Sequence, residues 1–118
     1  MKTFGEYVKE SRKVKITESG DAESRFQKLT AELYHWDDQR FEPVAYYTSR
    51  GHKSEGIILF DKQFSDFEYT EFENGHSRAH GPIGKSKSEM KSKIEFKLKR
   101  EVEFGQPKRE ITYFGKYK

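Results

Sequence analysis

The chain has 118 residues, the size of one domain. Its 36% charged against 32% hydrophobic residues would place it near disorder but for ten Phe, seven Tyr and one Trp, whose rings can build a core from few side chains. The lack of cysteine removes disulfides, thiolate catalysis and Cys-based zinc sites; no apolar run approaches the ~18 residues of a membrane span, nor does the N-terminus carry a secretory apolar stretch.

The net charge of +3 is unevenly spread. Residues 1–18 carry five basic and three acidic side chains, residues 19–84 seven and twelve, and residues 85–118 eleven and five. Only the last third therefore has the basic excess from which a nucleic-acid binder draws its affinity.

In chain order, residues 1–18 make a brief helical stripe of Phe4, Tyr7 and Val8, then a basic stretch from Ser11 to Lys15. Ser19-Gly20 separates them from the rest of the chain, so they are expected to form a detachable segment with few core contacts, and residues 19–118 a single domain. Asp21 can cap a helix, and Phe26, Leu29, Leu33 and Trp36 recur at helical spacing, which predicts an amphipathic helix over roughly residues 21–35. After Pro43 the pattern turns to strands: Val44–Thr48, the more apolar Gly56–Phe60, and Phe64–Phe72, with Asn74-Gly75 at a hairpin turn. Lys85-Ser86-Lys87-Ser88 reads as a solvated connector.

The strongest strand signal comes next. Met90, Ile94, Phe96, Leu98, Val102 and Phe104 fall on even positions, while Lys91, Lys93, Glu95, Lys97, Lys99, Glu101 and Glu103 fall on odd ones. On that strand Phe96→Ala and Leu98→Ala should each cost roughly 2–5 kcal/mol and Lys97→Ala almost nothing. Gly105-Gln106-Pro107 then turns the chain, and Glu110–Phe114 returns antiparallel beside it. The fold class expected is α+β, one amphipathic helix packed on an antiparallel sheet of about five or six strands.

Met1-Lys2-Thr3-Phe4-Gly5-Glu6-Tyr7 resembles the opening of the internal head proteins of T-even-type phages, whose capsid-targeting sequence runs Met-Lys-Thr, an aromatic, any residue, Glu and a second aromatic. Ile16-Thr17-Glu18 resembles the site at which the prohead protease cuts that family, Leu or Ile, any residue, then Glu, which would put the cut between Glu18 and Ser19. Gly5 and Ser19 depart from the usual family residues. The resemblance covers residues 1–18. It implies a capsid-targeting propeptide, co-assembly with the phage scaffolding core, trimming, a place inside the virion and injection into the host cytoplasm with the DNA. A member of the family blocks a host restriction enzyme, so a host defence protein is the implied partner. The tag tells how cargo travels and not what it does.

Residues 19–118 offer no phosphate loop, dinucleotide fingerprint or nucleophile elbow, so binding is expected rather than catalysis, with no cofactor. His76 and His80 flank the hairpin turn, where a strand would hold them ~13 Å apart, too far to share a metal ion. His35 at a helix end and His52 in a turn have no evident partner, and no metal site is expected. Two surfaces remain as candidates. Lys91, Lys93, Lys97 and Lys99 would share one strand face, with Tyr113, Phe114 and Tyr117 near them in sequence, the ingredients of a groove for single-stranded nucleic acid. Asp61, Asp66, Glu68, Glu71 and Glu73 could instead imitate phosphate spacing toward a DNA-binding protein. A structural or DNA-associated head core protein and a small nucleic-acid-binding regulator stay open as alternatives, with little or no sequence-specific nucleic-acid binding expected of the leading reading.

Overall fold

Four strands succeed one another as an antiparallel meander: β1 (Phe41–Ser49), β2 (Ser54–Asp61), β3 (Asp66–Glu73) and β4 (His76–Gly84). The computed structural model describes residues 19–33, 36–49, 54–105 and 108–118. A fifth strand, β5 (Arg109–Tyr113), pairs antiparallel with the free edge of β1, giving the order β4-β3-β2-β1-β5. Helix α1 (Ser19–Thr30) precedes the sheet, helix α2 (Lys87–Glu103) lies between β4 and β5, and a short 3-10 turn, Gly115–Tyr117, comes after β5. The fold class is thus α+β with five antiparallel strands. The expected targeting motif, Met1, Lys2, Thr3, Phe4, Glu6 and Tyr7, and the expected processing residues Ile16, Thr17 and Glu18 lie outside the described residues, as do His35 and His52.

Among the described residues two helices, not the one expected, cover the sheet, one on each face. α1 turns Ala22, Phe26 and Leu29 onto Tyr46, Ile57, Leu59 and Phe72, and α2 turns Met90, Ile94 and Leu98 onto Ala45, Tyr47, Ile58 and Phe67. This explains the texture of β2. A strand covered on both faces cannot alternate, and Glu55 through Leu59 are all buried. α1 stops at Thr30 and not near residue 35. Leu33 and Trp36 still pack on the same core, but from the connection after the helix.

The strand expected over residues 90–104 is α2. Met90, Ile94 and Leu98 are spaced by four, which satisfies period 2 and also a helical stripe drifting about 40° per step. The two readings part at Phe96, which a strand aligns with Ile94 and Leu98 and a helix turns about 200° away. Phe96 is 64% exposed. Local chemistry favours the helix: the segment is mostly Lys, Glu, Met, Leu and Arg, with few β-branched residues. Its start is capped, Ser86 Oγ accepting from the Glu89 N–H at 3.1 Å and Glu89 Oε1 from the Lys85 N–H at 2.7 Å. The connector therefore contains the helix start. β5 consequently returns beside β1 and not beside residues 90–104.

The Asn74-Gly75 hairpin forms as expected, with φ of 54° and 82° at its two central residues. A register shift in β4 then sets His76 opposite Glu73 and His80 opposite Thr70, β3 residues of opposite facing, so the two exposed histidines point to different sides of the sheet.

Candidate functional site

The five acidic residues of the candidate surface do not form one row. Along β3, Asp66 and Glu68 face the α1 side, while Glu71 and Glu73 face the α2 side. Asp61 is buried at the end of β2, where Arg40 grips it with Nε at 3.1 Å and Nη2 at 2.8 Å and the Gln63 and Phe64 N–H groups donate at 2.9 and 3.3 Å. The Arg40 hydrogen bonds, aided by those backbone donors, hold its carboxyl below the usual carboxylate range. Glu71 is buried too, and Glu73 pairs with Arg78 at 2.9 Å. Phosphate imitation needs a run of solvent-facing carboxylates, and this set does not supply one.

The four lysines fare likewise. At about 100° per residue a helix scatters Lys91, Lys93, Lys97 and Lys99 around its circumference. Lys97 faces the sheet, its ammonium 2.9 Å from Glu71 and 2.6 Å from Glu101. Burial disfavours that charge, yet hydrogen bonds to Glu101 and Glu71 outweigh it and hold the pKa above the ordinary lysine value. Lys91 lies over the Tyr113 ring at 4.6 Å, and the Tyr113 hydroxyl donates to Glu95 at 3.0 Å. Phe114 and Tyr117 are buried in opposite cores. No row of bases and rings is left for a nucleic-acid strand to stack along.

What sequence reading missed is a matched pair of buried clamps. On the α1 face, Glu55 is 1% exposed, held by Arg25 Nε and Nη2 at 2.5 Å each and by the Tyr46 hydroxyl at 2.6 Å. On the α2 face, Glu71 accepts from the Tyr47 hydroxyl at 3.1 Å and from Lys97. Each clamp joins a tyrosine of β1, a carboxylate of the sheet and a base from the covering helix. Burial first, and the glutamate second, raises both phenols, Tyr47 well above its ordinary value. These carboxylates are occupied, each tying its covering helix to the sheet. The signal was available in the sequence: Glu55 and Glu71 interrupt otherwise core-facing positions, which requires a partner.

The described residues also form a concave site, a cleft of about 360 Å³ between α1, the α1–β1 connection and the start of β1. It is lined by Glu23, Phe26, Gln27, Thr30, Trp36, Asp38, Pro43 and Phe114. Phe26 meets Phe114 edge-on at 5.3 Å, and Trp36 stacks on Phe41 at 5.9 Å and 17°. Phe114 is fixed by its N–H, which donates to the Val44 carbonyl at 2.8 Å. β5 pairs only with Ala45–Ser49, which leaves Pro43 at an uncovered stretch of edge, where a missing N–H costs nothing. The cleft thus has aromatic and proline surfaces with two exposed carboxylates among its lining residues.

Among the described residues there is no group of three or more His, Asp or Glu disposed to hold a metal ion, and no helix is long and apolar enough to cross a membrane. Comparison of the chain with protein-family models, with curated proteins and with solved structures finds no match.

Proposed function

We propose that the protein is a phage internal head protein: residues 1–18 direct it to the scaffolding core and are removed by the prohead protease after Glu18, and residues 19–118 travel in the capsid, enter the host cytoplasm with the DNA, and bind and inhibit a host defence enzyme of the restriction type. One observation carries the division. Within residues 19–118 one helix covers each face of the sheet, so both faces are closed by elements that follow Ile16-Thr17-Glu18 in the chain. Binding to a protein is favoured over packing of DNA because the C-terminal lysines are scattered and Lys97 is engaged by two carboxylates, whereas a packing protein needs a continuous basic surface.

The test is the N-terminal residue of the protein recovered from purified particles. Wild-type protein should begin at Ser19, some 2 kDa lighter than its precursor at ~110 Da per residue, as befits an excised terminal tag. Glu18→Gln removes the charge and keeps the side-chain size, so this variant should be packaged at full length, and a chain lacking residues 1–10 should stay outside. Wild-type protein that is absent from particles, or present uncut, defeats the proposal. Strong salt-dependent binding to duplex DNA would favour the head-core alternative.

A further inference from the structure

We propose that the cleft beside α1 is a contact site for a partner protein and that it receives an arginine side chain from a basic surface of that partner. The inference rests on the proposed function only in taking the partner to be a protein.

Size comes first. About 360 Å³ falls within the roughly 300–1,000 Å³ typical of ligand pockets, so the cleft has room for a long side chain. The lining then selects the side chain. Phe26, Trp36, Pro43 and Phe114 offer apolar and aromatic surface, Glu23 and Asp38 offer negative charge, and among the described residues no basic side chain lines the site. An apolar stem that ends in a cation matches both halves at once. Arginine fits better than lysine, because a planar guanidinium can stack on an indole and donate in parallel to a carboxylate, and it sheds its hydration more easily.

The carboxylates themselves supply a further argument. Glu55, Asp61 and Glu71 are each held by a base of this chain. Among the described residues, the Glu23 and Asp38 carboxylates have no hydrogen-bonding or ion-pair partner, although they stand beside an aromatic hollow. The surrounding region, residues 19–84, carries twelve acidic against seven basic side chains, which would draw a basic surface toward the cleft before contact.

Trp36 is the only tryptophan in the chain and lines the cleft, so its fluorescence reports occupancy in the full-length protein. The probe is the blocked peptide acetyl-Gly-Leu-Arg-Leu-Gly-amide, compared with versions carrying lysine or the uncharged isostere citrulline. The arginine peptide should shift Trp36 emission saturably and more weakly at high salt. Citrulline should bind at least about tenfold more weakly, the order expected when a charge-assisted hydrogen bond is lost. Glu23→Gln with Asp38→Asn should weaken the arginine peptide to a similar degree with far-UV circular dichroism unchanged, while Glu73→Gln, away from the cleft, should leave binding as it was.

No saturable response, equal binding of citrulline, or indifference to the double variant would overturn the proposal. So would a shift in Trp36 emission caused by Arg12→Gln, Lys13→Gln and Lys15→Gln without peptide, which would make the chain's own basic segment the occupant. A shift produced by duplex DNA would assign the cleft to nucleic acid and overturn it as well. The two proposals fail separately: absence from particles removes the delivery reading and leaves the arginine preference standing, and loss of that preference leaves delivery untouched.

Discussion

Tyr47 on β1 stands opposite Gly56 on β2, and Gly56 stands opposite Glu71 on β3. A Cβ at Gly56 would fall inside the Tyr47 ring, so the missing side chain lets the phenol lie across β2 and reach Glu71. Gly56→Ala should therefore cost about 3 kcal/mol, the upper end for overpacking, because the aromatic ring it meets is fully buried. In a Tyr47→Ala background the same change should cost much less. Urea denaturation of the four proteins completes the cycle, and additive costs would show that the ring does not occupy that space. Asp61 makes a prediction of another kind. Its folded pKa lies below the ordinary carboxylate value, so its contribution is complete above the unfolded pKa of about 4 and is lost as pH falls through the folded pKa. Stability measured by urea midpoint should decline on acidification below about pH 4, and Asp61→Asn should make that decline shallower. An unchanged acid limb would mean that Arg40 does not hold the carboxylate in solution.

At the scale of elements, α2 reassigns the effects of three neighbouring substitutions. Phe96→Ala is expected within about 0.5 kcal/mol of neutral, since the ring is 64% exposed. Leu98→Ala keeps its expected cost of roughly 2–5 kcal/mol, because Leu98 is buried against the sheet in either reading. Lys97→Ala changes most, to about 1–3 kcal/mol, because it leaves Glu71, 8% exposed, without its ammonium partner. The order Leu98, Lys97, Phe96 in denaturation midpoints would support the helix, and a Phe96→Ala variant as damaged as Leu98→Ala would restore the strand. α1 is seated by the corresponding bond between Arg25 and Glu55. α2 has a second such link, Glu101 to Arg109 of β5 at 3.1 Å, so each helix is tied to the sheet by at least one ion pair that a purely apolar contact would lack.

At the scale of the molecule, the described residues form a three-layer arrangement, helix on sheet on helix, in which an antiparallel sheet is covered on both faces. Because both covering helices fall within residues 19–118, a fragment comprising those residues should fold alone. Its urea transition should be cooperative, with the midpoint and slope of the full chain, since the slope tracks the surface exposed on unfolding. A broad transition, or a midpoint clearly lower, would make residues 1–18 part of the folding unit and weaken the case for a detachable tag.

Several elements could be read from the residues because local chemistry and tertiary packing agree on them. Asn74-Gly75 specifies a tight turn through its positive φ angles, Phe26 and Leu29 mark a helix face, and the apolar run of β2 marks a central strand. Residues 90–104 were legible only in part. An apolar residue at every fourth position satisfies both periods, and the Ser86–Glu89 cap was hidden in what read as a solvated connector. The candidate site was less legible still. Phe114 comes from the far end of the chain to join Glu23, Trp36 and Pro43, and no local pattern ties the four together. Composition and periodicity determined an α+β domain with an aromatic core. Which carboxylates are engaged and which face a hollow was decided only when α1, β1 and the chain after β5 came together, since charge pairing depends on distance in space and not along the sequence.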